Sequence, residues 1–200
     1  MASNSYKKPD FYSQKAFAEG YPARSVFKLE EMDNRFSLLK KGFKVLDLGA
    51  APGSWTMFAL KKVGSGGSVF AVDLKDLSKN LNAPNLTFIK GDLFADNIQE
   101  AVTKAAPFDL VISDAAPATT GNRIVDTAQS EGLAELALFY AEKMLKPGGC
   151  FVAKIFQGGG QQKLLADMRK IFEESKGFKP KACRNESFET YLVGLRKKEQ

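Results

Sequence analysis

The sequence predicts an α/β fold: a mostly parallel seven-stranded sheet with helices on both faces and an antiparallel edge strand. Three observations carry that expectation. Apolar runs of strand length recur at Val45–Leu48, Ser68–Val72, Leu86–Lys90, Phe108–Asp114 and Cys150–Ile155, and near-continuous apolarity marks parallel strands covered on both faces. Segments with helical spacing separate most of them, the alternation that builds a three-layer sandwich. Two further strand-like runs, Phe178–Arg184 and Thr190–Leu195, lie too close together for a crossover and so must pair antiparallel.

Taken in order, residues 1–22 form a lead-in in which Lys7, Lys8 and Lys15 alternate with Phe11, Tyr12, Phe17 and Tyr21. Val26, Leu29, Met32 and Phe36 then recur at helical spacing, predicting an amphipathic helix over Ser25–Phe36 with Ser25 near its N-cap. Lys28 lies off that apolar stripe. Trp55–Lys62 reads as the first crossover helix, and Gly64-Ser65-Gly66-Gly67 turns the chain into the second strand. Ala95–Ala105 is a weaker helix. Leu133, Leu136, Ala137, Tyr140, Met144 and Leu145 mark a long helix stopped by Lys146-Pro147-Gly148-Gly149, and another helix is expected over Gln161–Glu174.

Composition narrows the classes. With 200 residues, 44% of them hydrophobic, and no Pro/Ser-rich linker, one domain spanning 1–200 is expected. No run has the length of a membrane span, and Met1 to Lys8 lacks a signal-peptide core, so a soluble, cytoplasmic protein without membrane partners is expected. The absence of histidine, with only Cys150 and Cys183 as thiols, argues against a metal site and against His-based triads; each cysteine reads as a buried small hydrophobe. A formal charge of +6, with cations interleaved among aromatics before residue 45, suits a polyanionic partner.

The run Val45-Leu46-Asp47-Leu48-Gly49-Ala50-Ala51-Pro52-Gly53-Ser54-Trp55 sends a buried strand into a small-residue loop and then a helix, the order of a nucleotide-like ligand site. The Gly49-x-x-x-Gly53 spacing, with Pro52 inside it, departs from the dinucleotide fingerprint for pyrophosphate. The second strand ends at Asp73 and the third at Gly91-Asp92, carboxylates that suit ribose hydroxyls and an adenine amino group. That pattern fits S-adenosylmethionine better than NAD. Taken alone, Asp73 reads more readily as a helix cap, and the loop as readily a tight connection as a ligand site. On the same sheet edge the fourth strand closes at Asp114 and the fifth carries Lys154, either a site of chemistry or a structural ion pair, because a lysine in an apolar strand needs a partner.

The chain resembles the FtsJ/RrmJ family of S-adenosylmethionine-dependent RNA ribose 2'-O-methyltransferases. The resemblance rests on Arg24-Ser25-Val26-Phe27-Lys28-Leu29, Asp47 to Trp55, Ser113-Asp114-Ala115-Ala116-Pro117, Val152-Ala153-Lys154-Ile155-Phe156-Gln157-Gly158 and Ser187-Phe188-Glu189-Thr190-Tyr191. It implies a Rossmann-like class I methyltransferase fold, a catalytic set of Lys28, Asp114, Lys154 and Glu189, and cofactor contacts from Gly49, Ala51, Pro52, Gly53, Trp55, Asp73, Asp92 and Asp114. Glu186 competes for the last catalytic place, but Glu189 stands in the family's Ser-x-Glu-x-Tyr context. Ser54 stands where bacterial rRNA members often carry glycine, a change that should leave cofactor binding intact.

The implied activity is methylation of a uridine ribose in large-subunit rRNA by a monomer with RNA as partner. A tRNA target, a non-catalytic RNA-binding module with a vestigial pocket, and an NAD oxidoreductase are the alternatives. Free lysine titrates near ~10.4, so Lys154 as general base requires its neutral form to be favoured by burial and by Lys28. Asp114 is expected to orient Lys154, while Lys28 and Glu189 position the ribose.

Overall fold

The computed structural model describes residues 10–158, 160–184 and 186–199. Its seven strands are β1 (Lys44–Leu48), β2 (Ser68–Asp73), β3 (Leu86–Lys90), β4 (Phe108–Ser113), β5 (Leu145–Phe156), β6 (Phe172–Phe178) and β7 (Glu189–Lys197). Its helices are α1 (Phe11–Ala18), α2 (Val26–Phe36), α3 (Ser54–Val63), α4 (Asp96–Ala105), α5 (Arg123–Met144) and α6 (Gly160–Ile171). The sheet order is β3-β2-β1-β4-β5-β7-β6, with β1 to β5 mutually parallel and β7 running antiparallel between β5 and β6.

Strand alternation splits the core in two. Leu46, Leu48, Val72, Val111, Phe151 and Ala153 face α4, α5 and α6, whereas Val45, Val69, Ile112, Val152, Tyr191 and Val193 face α2 and α3. Because both faces are covered, the strands carry apolar residues at consecutive positions. Helix α2 buries Val26, Leu29 and Met32 in the second layer and so holds Lys28 above the sheet edge.

Several boundaries depart from the sequence reading. Ser25 stands at the N-cap position of α2, as expected, but in the right-handed helical region and without a side-chain cap bond; at α1, Asp10 does cap, accepting from the Ser13 amide at 2.9 Å. Helix α5 starts at Arg123, earlier than its apolar spacing indicated, since its first turns expose Ile124 and bury only the polar Asp126 and Ser130. It starts at a true cap, with the Asn122 side chain accepting from the Ile124 amide at 3.0 Å. The Lys146–Gly149 stop lies inside β5, where a register shift loops it out between Phe108 and Leu110 on β4.

The largest correction concerns the region after α6. The helix expected to reach Glu174 ends at Ile171, and the strand expected over Phe178–Arg184 lies at Phe172–Phe178. Glu173, Glu174 and Lys176 are good helix formers, but tertiary pairing overrides that weak preference. Phe172 stacks on Phe151 with centroids 6.0 Å apart, and the ladder with β7 runs from Phe172↔Lys197 to Phe178↔Tyr191. Residues 179–184 then form a loop, so Cys183 is buried in a connection and not in a strand.

Candidate active site

The carboxyl ends of β1, β2, β3 and β4 surround a cavity of about 430 Å³ whose walls include Gly49, Ala51, Asp73, Asp92, Asp114 and Leu133. That size is ordinary for a small-molecule site. Gly49 has φ +74, and its amide joins that of Ala50 on the Val72 carbonyl at 2.9 and 3.1 Å, which folds the loop back over β2. Asp73 accepts the Ala51 amide on one carboxylate oxygen at 2.9 Å and the Lys75 amide on the other at 2.7 Å, so it braces the loop as well as facing the cavity. Asp92 accepts the Phe94 amide at 3.0 Å on one oxygen. Two carboxylates at adjacent strand ends, beside a Gly49 whose missing Cβ leaves room for Ala115 of the facing loop, fit the ribose and adenine of S-adenosylmethionine, and among the described residues Lys75 is the one basic residue in the wall.

Beside the cavity, Lys154 is 8% exposed, and its Nζ lies 3.1 Å from Asp114 Oδ1 and 2.6 Å from the Asp114 carbonyl oxygen. The Tyr191 hydroxyl donates to the same Asp114 Oδ1 at 2.9 Å. Antiparallel register sets Tyr191 opposite Lys154 and Glu189 opposite Phe156. Lys28, arriving from α2, pairs with Glu189 at 2.6 Å and stands 6.0 Å above the Tyr191 ring. Tyr191 therefore connects the two ion pairs. Burial, reinforced by the Asp114 and Glu189 carboxylates, pushes its phenol well above the ordinary value, so it stays a donor at neutral pH.

All four expected catalytic residues thus converge, Lys154 with Asp114 and Lys28 with Glu189. Lys28 and Glu189 open onto a second cavity of about 420 Å³, shared with Arg24, Arg184, Glu186 and Ser187. Of the expected cofactor contacts, Gly49, Ala51, Asp73, Asp92 and Asp114 line the first cavity; Pro52, Gly53 and Trp55 do not. Trp55 is 2% exposed, because in the first turn of α3 its indole turns inward, donates to the Ser25 carbonyl at 2.8 Å and packs on Tyr191 at 5.8 Å. It positions α2, and with it Lys28. Gly53, at φ +109, stands at the N-cap of α3, and the Pro52 carbonyl accepts the Ser78 amide at 3.0 Å.

Sequence reasoning did not single out Tyr191 or Asp47 as site residues. The first was visible only as the end of the Ser-x-Glu-x-Tyr run. Asp47, fully buried on β1, accepts the Thr56 hydroxyl at 2.6 Å on one oxygen and leaves the other without a partner. Burial pushes its carboxyl up to about 7, opposed by the Thr56 hydrogen bond and supported by the Asp114 and Asp73 carboxylates. A carboxyl raised in the folded state costs stability as pH climbs from the unfolded value of 3.8 to about 7, with no added cost above that. Thermal unfolding of the ligand-free protein should therefore show Asp47→Asn gaining on the parent chain between about pH 5 and 7, reaching on the order of 2–4 kcal/mol, then holding its lead. A lead that does not vary with pH would mean that Asp47 ionises normally.

Among the described residues, no group of three or more His, Cys, Asp or Glu side chains is placed to hold a metal ion, and no helix is long and apolar enough to cross a membrane.

A glycine loop after β1, carboxylates closing β2 and β3, and a sheet with β7 inserted antiparallel beside β5 define a Rossmann-like methyltransferase. More narrowly, the chain belongs to the FtsJ-like methyltransferase family, whose profile matches residues 21–197. It is 57% identical over 195 residues to the ribosomal RNA large subunit methyltransferase E of Treponema denticola, covering 98% of each chain. The enzyme of that name from Sorangium cellulosum is 47% identical, over 98% of this chain and 91% of the relative. Among solved structures, a Plasmodium falciparum chain described as a ribosomal RNA methyltransferase matches with a TM-score of 0.77 and 27% identity, over 90% of this chain and 100% of that one. Aeropyrum pernix fibrillarin, solved with S-adenosyl-L-methionine bound, shares the fold at a TM-score of 0.59 and 15% identity, over 86% of this chain and 76% of that one.

Proposed function

We propose that this protein transfers a methyl group from S-adenosylmethionine to a ribose 2'-hydroxyl of large-subunit ribosomal RNA, at a uridine. The observation that carries the reading is Asp114 in the wall of the donor cavity with the buried Lys154 paired behind it, joined through Tyr191 to Lys28–Glu189 at the mouth of a second cavity. The relatives named above support rRNA as the substrate.

S-adenosylmethionine, when bound, supplies a methyl group already activated as a sulfonium. Its adenosine would be held by Asp73, Asp92 and the Gly49 loop. The chain's remaining tasks are to hold the ribose oxygen in line and to take its proton. Lys154 is the proton acceptor in its neutral form: once its ammonium has released a proton to solvent, the free lone pair on Nζ would take the hydroxyl proton of the ribose. Asp114 fixes Nζ through two oxygens, and Tyr191 fixes Asp114. Lys28 and Glu189, themselves paired, position the ribose from the other cavity.

Incubation of the purified protein with methyl-labelled donor and either large ribosomal subunits, free large-subunit rRNA or tRNA tests the reading. Label is expected in the large-subunit RNA, in a dinucleotide that resists alkaline cleavage because its 2'-oxygen is blocked. Label in a base-methylated nucleoside overturns the ribose assignment, and label confined to tRNA overturns the substrate.

A further inference from the structure

The second cavity is bordered by an anion of the chain's own. Its walls carry three cations, Arg24, Lys28 and Arg184, and two carboxylates, Glu186 and Glu189. Glu189 is already neutralised by Lys28. The two arginines converge on one carboxylate from outside the cavity wall, that of Asp10. Asp10 Oδ2 takes the Arg24 guanidinium and lies 3.7 Å from Nη2 of Arg184.

Arg24 is built in place. Its side chain is 15% exposed, donates through Nη2 to the Ala182 carbonyl at 2.6 Å and lies over the Tyr12 ring at 5.0 Å. Arg184 is the opposite, 66% exposed and 3.7 Å from the Asp10 carboxylate. A fixed guanidinium and a movable one facing a shared oxyanion make the arrangement that binds a phosphodiester. Asp10 also serves α1, through the oxygen that caps the Ser13 amide, and that hydrogen bond, aided by Arg24, keeps its carboxyl below the usual range.

We propose that Arg24 and Arg184 form the seat of an RNA backbone phosphate next to the target ribose, and that Asp10 occupies this seat until RNA displaces it. The inference rests on the reading that RNA enters beside Lys28 and Glu189. The N-terminal arm then acts as a competitor built into the chain. Displacing Asp10 weakens every RNA that uses the seat by the same few-fold factor, a cost that a substrate anchored elsewhere as well absorbs more readily.

The test is binding of a short fluorescent single-stranded RNA to the full chain over a salt series, comparing the parent with Asp10→Asn, Asp10→Ser and Arg184→Gln. Asn and Ser both cap helices, so α1 is retained while the charge is removed. Each Asp10 variant is expected to bind about 2–5-fold tighter than the parent, the scale of an exposed ion pair. Arg184→Gln should bind more weakly, with a shallower dependence on salt, by about 0.7 in the logarithmic slope, because the variant neutralises one phosphate fewer. Unchanged or weaker binding in both Asp10 variants, with thermal unfolding like the parent's, overturns the proposal, as does an Arg184→Gln slope equal to the parent's. The readout is binding alone, so a failed methylation reading leaves these outcomes interpretable, and a failed Asp10 result leaves the methylation reading standing.

Discussion

Replacing Lys154 with alanine is expected to lower methyl transfer by at least ~100-fold, the scale on which a positioned acid or base acts, while S-adenosylmethionine binding measured by calorimetry stays within about twofold. The cofactor cavity is walled by Asp73, Asp92 and the Gly49 loop, and Lys154 is not part of that wall. Alanine alone does not separate a proton acceptor from a structural partner of Asp114, since breaking a buried pair also destabilises, by roughly 3–5 kcal/mol when nothing compensates. Here the Tyr191 hydroxyl still serves Asp114 at 2.9 Å, so the loss should fall below that range. Lys154→Arg makes the distinction. A guanidinium keeps the charge facing Asp114 but does not give up its proton in a protein, so the arginine variant should fold like the parent and be as inactive as alanine. Activity recovered in Lys154→Arg would make the pair structural and move the proton to another acceptor.

The sheet was largely legible because strands buried on both faces are mostly apolar, and β1, β2 and β4 are so apart from Asp47, Asp109 and the polar residues at their ends. What the sequence hid are the places where tertiary contacts overrule local preference. Phe172-Glu173-Glu174-Ser175-Lys176 has the makings of a helix end, and only β7 and the stack on Phe151 make it a strand. The first turns of α5 present no apolar stripe to the core, so periodicity could not find them.

The site divides along the same line. Asp73, Asp92, Asp114 and Lys154 were readable because each closes or lies within an apolar strand, where a charge needs a reason. Lys28 and Glu189 have no such local signal, and only the motif resemblance pointed to them; their 2.6 Å pairing depends on α2 packing above β7. Trp55 is the reverse case. A large aromatic beside a ligand loop invites assignment to the ligand, yet its burial against Tyr191 and its bond to Ser25 make it the post that sets α2. Tyr191 escaped notice because its role is relational: it is opposite Lys154 in the ladder, under Lys28 and on Asp114 at once.

Gly49→Ala should cost both the fold and the donor site. At φ +74 an alanine sits in the left-handed region, a penalty of about 1–2 kcal/mol. Its Cβ would also meet Ala115 Cβ at 2.6 Å and Cα at 2.7 Å, and backbone there has little room to yield. Overpacking of this kind costs roughly another 1–3 kcal/mol. Ala115 follows Asp114 directly, so relief of the clash pushes the Asp114 loop away from the cavity, and S-adenosylmethionine affinity should fall by more than ~10-fold, or about 1.4 kcal/mol. Gly132→Ala serves as the control. It lies within α5, its added Cβ meets nothing within 4 Å, and it should raise the unfolding midpoint by the ~0.5–1 kcal/mol that alanine gains over glycine in a helix. Calorimetry and thermal unfolding on the two variants should therefore move in opposite directions for stability, with donor affinity changed only by Gly49→Ala. A Gly49→Ala protein that binds donor as the parent does would show that the β1 loop and the Asp114 loop can separate without opening the site.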